Sequence, residues 1–148
     1  MHRRLSASAA ATRHVSSKRF DFMSQSQDLV GAVLGLSIGT ITLVAVASLI
    51  AKFPGDEPNS VMGIRTKATM SSPEAWQQAH QAARPGLRRA TWIALAGFAV
   101  QLGIAITIGV GTAASATAAA VVFAAVTVAI LAAALTGNRV AREIQCRN

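Results

Sequence analysis

LVGAVLGLSIGTITLVAVASLIA, residues 29–51, and ATWIALAGFAVQLGIAITIGVGTAASATAAAVVFAAVTVAILAAALTGN, residues 90–138, contain no Asp, Glu, Lys or Arg. As a helix rising about 1.5 Å per residue, the first block reaches roughly 35 Å, enough to cross a hydrocarbon core of about 30 Å. The second block is too long for one crossing. Its uncharged Gly109-Val-Gly-Thr-Ala-Ala-Ser115 segment allows a tight turn, dividing it into spans Ala90–Gly111 and Ala113–Thr136 that form an antiparallel hairpin. The expected fold is all-α: an integral membrane protein with three transmembrane helices and a short amphipathic helix in the loop between the first two. Ala45-Val-Ala47 resembles a signal-peptidase site, but the apolar run before the loop exceeds the 7–15 residues usual for a cleaved signal, so the first helix is read as retained.

Composition agrees with this class. Of 148 residues 52% are hydrophobic and 14% charged, with mean hydropathy +0.44, whereas a soluble domain carries about 25% charged residues. The net charge of +8 and pI near 11.6 raise the question of nucleic acid. The basic residues flank the apolar blocks, however, which suits anionic lipid headgroups, and no nucleic-acid motif is present. The lipid bilayer is therefore the expected partner and nucleic acid is not. Cys146 is the single cysteine, so neither an intrachain disulfide nor a cysteine zinc cluster can form. The ending Cys146-Arg147-Asn148 is one residue short of a prenylation box.

Residues 1–28 read as a disordered basic N-terminal segment, Ser/Ala/Arg-rich and acid-free until Asp21. A transit peptide shares this composition. A start at Met23 is the alternative, since the chain beyond it stands alone as a membrane protein. Residues 29–136 form the membrane domain, with loop 52–89 inside it, and 137–148 a basic tail. Lys52, Arg65, Lys67, Arg84, Arg88 and Arg89 of the loop and Arg139, Arg142 and Arg147 of the tail lie on one side. Arg3, Arg4, Arg13, Lys18 and Arg19 lie on the other, or are missing if Met23 is the start. The positive-inside rule places the loop and C-terminus in the cytoplasm and the N-terminus outside.

Small residues mark packing faces. Gly31, Gly35 and Gly39 recur every four residues on the first helix, and Ala125, Ala129, Ala133 and Gly137 do so on the third. Such stripes let helix backbones approach closely in lipid. The glycine stripe serves packing within one chain or a homo-oligomer equally well. Gln101, the most polar residue at membrane depth, is expected to point inward and hydrogen-bond a Ser or Thr of a neighbouring helix.

The loop carries the specific residues. Pro54, Gly55 and Pro58 end the first helix. Ser72 has the form of an N-cap, with Pro73 at the first helical position and Glu74 in the first turn. The short helix is expected to run to about Ala83 and stop at Arg84-Pro85-Gly86. Trp76, Ala79, His80 and Ala83 share one face, with Trp76 read as an interfacial anchor.

Pro58-Asn59, Gly63-Ile64-Arg65-Thr66, Thr69, Ser72, Glu74-Ala75-Trp76 and His80 together resemble the signature of the SdpI family of small bacterial membrane proteins. These are related to the immunity protein against a sporulation-delaying toxin. The placement, one helix before the loop and a helical pair after it, is similar over about residues 29–136. The resemblance implies resistance to a membrane-active toxic peptide. In the namesake it also implies membrane capture of a repressor, for which this chain lacks the extra membrane region of longer members.

Arg65 is the leading candidate for an interaction, because a guanidinium at a membrane surface grips phosphate or carboxylate bidentately. A salt bridge to Glu74, Asp56 or Glu57 is the structural alternative. Gly63 permits positive φ and close backbone approach, Asn59 suits a turn, and His80 suits a hydrogen-bonded helix position. His2, His14 and His80 make no metal spacing with Cys or carboxylates, and no nucleophile elbow or phosphate loop occurs in a matching context. No ionisable group lies inside the spans, against a proton-coupled pump. The expectation is a non-enzyme without cofactor, partnered by a toxic peptide or a cytoplasmic regulator protein.

Overall fold

The computed structural model describes residues 3–52, 57, 58 and 63–147, with side chains described from Met23 onward. Three helices account for it: α1 Arg3–Lys52, α2 Pro73–Ile108 and α3 Ala113–Gln145. The stretches Met23–Lys52, Pro73–Ile108 and Ala113–Gln145 are each long and apolar enough to cross a membrane. The chain is a membrane-spanning three-helix protein, and among the described residues no strand occurs.

The helices alternate in direction. Gln101 on α2 donates from Nε2 to Ser37 Oγ on α1 at 3.1 Å, and the α2–α3 turn at Gly111 lies against Ser26 and Val30. At the other end Ala47 of α1 joins Ala83, Leu87 and Ala133 in one buried cluster. α1 is thus antiparallel to α2 and parallel to α3. Gly109 ends α2 with φ +94°, and Thr112 caps α3 by accepting the Ser115 N–H. The Ser115 hydroxyl reaches back to the Gly109 carbonyl at 2.7 Å, closing the uncharged turn.

The size of the side chains sorts inside from outside. The interior holds Ala47, Ala75, Ala79, Ala83, Ala90, Ala94, Ala119, Ala133 and Ala141, while Ile38, Val100, Leu102, Ile106, Val121, Val128 and Leu135 are largely exposed. Only 11% to 17% of the residues in each apolar span are buried. In water such an arrangement would be inverted. In lipid, tails are as apolar as leucine and helices associate by close approach over small residues.

The structure bears on three expectations. First, among the described residues no separate amphipathic helix sits in the loop: the helix beginning after Ser72 runs through Pro85-Gly86 to Ile108. Pro85 removes one N–H from the ladder. Neighbouring helices offset such losses in membrane proteins, and here Gly86 lies directly against Ala133 of α3, where an added Cβ would come within 2.6 Å of the Ala133 Cβ. Second, the backbone of the N-terminal segment is helical from Arg3; residues 3–28 contain no Gly or Pro to break it. Third, the small-residue stripes are used in part. Gly39 packs on Phe123, but Gly31 and Gly35 meet nothing within 4 Å. On α3 the seam runs through Ala119, Val126, Ala133, Gly137 and Ala141, leaving Ala125 exposed.

Gly86→Ala would force the α2–α3 contact apart and is expected to cost about 1–3 kcal/mol. Gly103→Ala, on the same helix with nothing within 4 Å, is expected to be neutral or to gain up to about 1 kcal/mol from helix propensity. Reversible unfolding in mixed micelles measures both, and equal effects would contradict the packing described.

Candidate functional site in the loop before the second helix

The loop between α1 and α2 is held from below by the first two turns of α2. Ser72, in extended backbone, accepts the Ala75 N–H on its hydroxyl at 3.1 Å, with Pro73 and Glu74 following in the first turn. This cap aims the face carrying Ala75, Trp76, Ala79 and His80 inward, and all four are buried. Ala75 and Ala79 meet Ala68, Ala141 and Ile144 in one cluster. At Gly137 of α3 an added Cβ would come within 2.7 Å of the Ala79 carbonyl oxygen.

His80 fastens the loop. Its Nε2 accepts the Ile64 backbone N–H at 2.9 Å, and its Nδ1 lies 2.8 Å from the Trp76 carbonyl oxygen. An N–H arriving at Nε2 requires a lone pair there. The proton therefore sits on Nδ1 and is donated to Trp76, leaving a neutral ring with both nitrogens used. The Trp76 and His80 rings lie 4.2 Å apart, tilted by 45°. Gly63 passes over both with φ +123°, and a Cβ there would fall 2.4 Å from Trp76 Cη2 and 2.7 Å from His80 Nε2. Conformation and space both require glycine.

Two threonines tie the next turn. The Thr69 hydroxyl, fully buried, donates to the Ile64 carbonyl at 2.6 Å and accepts the Thr66 N–H at 2.9 Å. The Thr66 hydroxyl donates to Asn138 Oδ1 on α3 at 2.7 Å and accepts the Thr69 N–H at 3.2 Å. Among the described residues every buried side-chain polar atom has a partner.

Arg65 stands between these anchors. Ile64 is bonded to His80 and Thr69, and Thr66 to Thr69 and Asn138, so the Arg65 backbone is held on both sides while its side chain is exposed. Among the described residues it forms no ion pair with Glu74 or Glu57, both exposed. Lys67, two residues on, is also exposed. The loop thus presents a cationic tip on a rigid clasp, able to bind a phosphate or carboxylate without first ordering itself.

The candidate residues divide accordingly. Gly63, Thr66, Trp76 and His80 converge in the clasp; Arg65 and Glu74 face outward; Pro58 is half-buried. Asn59 and Asp56 lie outside the described residues. Trp76 is no interfacial anchor, because it is fully buried. The exposed tryptophan is Trp92, at the start of the charge-free part of α2, where indole rings suit the lipid boundary. Asn138 escaped notice in the sequence. It sits 72 residues from its partner, and its only local signal is being the last uncharged residue before Arg139. Gln101 is buried in the α1–α2 contact, far from the loop. Among the described residues no three His, Cys, Asp or Glu side chains come together as a metal would need.

A capped, loop-clasping helix leading into a membrane hairpin defines a small helical membrane protein organised around one loop. The chain belongs to the SdpI/YfhL protein family, whose model matches residues 56–136, more than half of it. The match takes in the loop, all of α2 and most of α3, and excludes α1. No curated protein and no solved structure matches the chain.

Thr66→Val and Asn138→Ala are expected to be coupled by about 1 kcal/mol in a double-mutant cycle of unfolding, the worth of a neutral hydrogen bond. Additive effects would show that the Thr66–Asn138 bond does not join the loop to α3.

Proposed function

We propose that this chain acts as an SdpI-like protein that protects its host's membrane against a toxic peptide, with Arg65 as the contact residue. The observation that carries the reading is the exposed guanidinium held on a buried clasp, inside the segment that matches the family. The clasp spends its polar groups on itself and leaves Arg65 for something else. A peptide carboxylate, or the phosphate to which a membrane peptide docks, suits a guanidinium fork. The role is binding rather than catalysis. In this reading the loop and the C-terminus face the cytoplasm of a bacterial plasma membrane, following the basic residues.

The test is protection of cells that depend on this protein, carried on a C-terminal fusion that fluoresces only in the cytoplasm. Arg65→Ala is expected to lower the tolerated peptide concentration by about tenfold or more, the loss of one charge-assisted hydrogen bond of about 1.5–3 kcal/mol. Arg65→Lys, which keeps the charge and loses the fork, should fall between. Full protection by a stably inserted Arg65→Ala would remove the loop from the mechanism, and a dark fusion would overturn the topology. If a cytoplasmic protein instead crosslinks stoichiometrically at the loop and deletion has no resistance phenotype, the chain is a membrane tether for that partner.

A further inference from the structure

The end of α1 and the middle of α2 line a groove of about 1180 Å³. Its rim is cationic. Lys52 from α1 and Arg84, Arg88 and Arg89 from α2 all line it and are exposed. No carboxylate lines it among the described residues. Further along α2 the lining changes character to Trp92 and Leu95, 69% and 54% exposed, with Leu87 buried at the base. Gln81, Arg84, Pro85, Arg88, Thr91, Trp92 and Leu95 follow one another at helical spacing. A single face of α2 therefore runs from guanidinium to hydrocarbon. The change falls at Ala90, where the charge-free block begins, which is the depth of the water–lipid boundary.

We propose that this groove is a binding site for an anionic phospholipid, its phosphate held by Arg84, Arg88 and Arg89 with Lys52, and an acyl chain lying along Trp92 and Leu95. Charge complementarity selects the head, since the four cations face no acid among the described residues. The apolar continuation selects an amphiphile over a free anion. Arginine forks grip phosphate bidentately, and each basic residue at a lipid surface adds to retention of anionic lipid. The site is independent of Arg65 and of any protective role.

The probe is Trp92 fluorescence in phosphatidylcholine vesicles containing a minor share of brominated phosphatidylglycerol or, in parallel, brominated phosphatidylcholine. Buried Trp76 contributes a constant background. The full chain is expected to be quenched by the anionic lipid as if it were enriched about tenfold or more at the groove. Arg84→Gln/Arg88→Gln/Arg89→Gln should abolish that preference. Arg139→Gln/Arg142→Gln/Arg147→Gln, which removes the same charge from exposed positions on α3 and the tail, should keep it. Arg88→Gln alone, with helix content checked by circular dichroism, should lose part of it. Absence of a preference in the unaltered chain, or equal loss in the two triple variants, would reduce the groove to diffuse surface charge and overturn the proposal. So would abolition of the preference by millimolar inorganic phosphate, which would identify a free-anion site.

Discussion

A backbone N–H at the edge of a membrane must find an acceptor, and for Ile64 the acceptor is a ring nitrogen of His80. Much of the loop depends on that bond. It fixes the tautomer, which in turn lets Nδ1 donate to the Trp76 carbonyl. It draws Gly63 onto the Trp76 and His80 rings so closely that no side chain fits, and it presents the Ile64 carbonyl to Thr69. Protonating His80 would set a second N–H against the first, so the clasp stands only with a neutral ring. The Arg65 backbone is held because its neighbours are, while its side chain is exposed.

The loop needs a platform, and the platform is made by small residues. Ala75 and Ala79 let α2 lie against Ala141 and Ile144 of α3, and Gly86 and Gly137 remove the last atoms that would hold the helices apart. The same closeness keeps α2 continuous past Pro85, so cap, clasp, basic rim and membrane span share one rod of 36 residues.

The sequence disclosed the parts of this that rest on local chemistry. Charge-free blocks announced the spans, Ser72-Pro73-Glu74 announced a helix start, and a glycine before Ile64-Arg65 announced positive φ. What it concealed depends on neighbours distant in the chain. Pro85-Gly86 reads as a stop because the compensating contact, Ala133, lies on another helix. Trp76 lies inside instead of at the interface, since a tryptophan in a polar loop looks interfacial until Gly63 is found covering it. Asn138 bonds Thr66 from the far end of α3, and no spacing rule reaches that distance. Gly31, Gly35 and Gly39 look alike in sequence, yet only Gly39 meets another helix.

The most direct test of the clasp is nitrogen NMR of His80 in micelles at neutral pH, read together with hydrogen exchange at the Ile64 amide. The structure predicts a neutral ring protonated at Nδ1 with a bare, hydrogen-bonded Nε2, and an Ile64 amide that exchanges slowly. A ring protonated at Nε2, or an Ile64 amide exchanging as fast as an open loop, would contradict it.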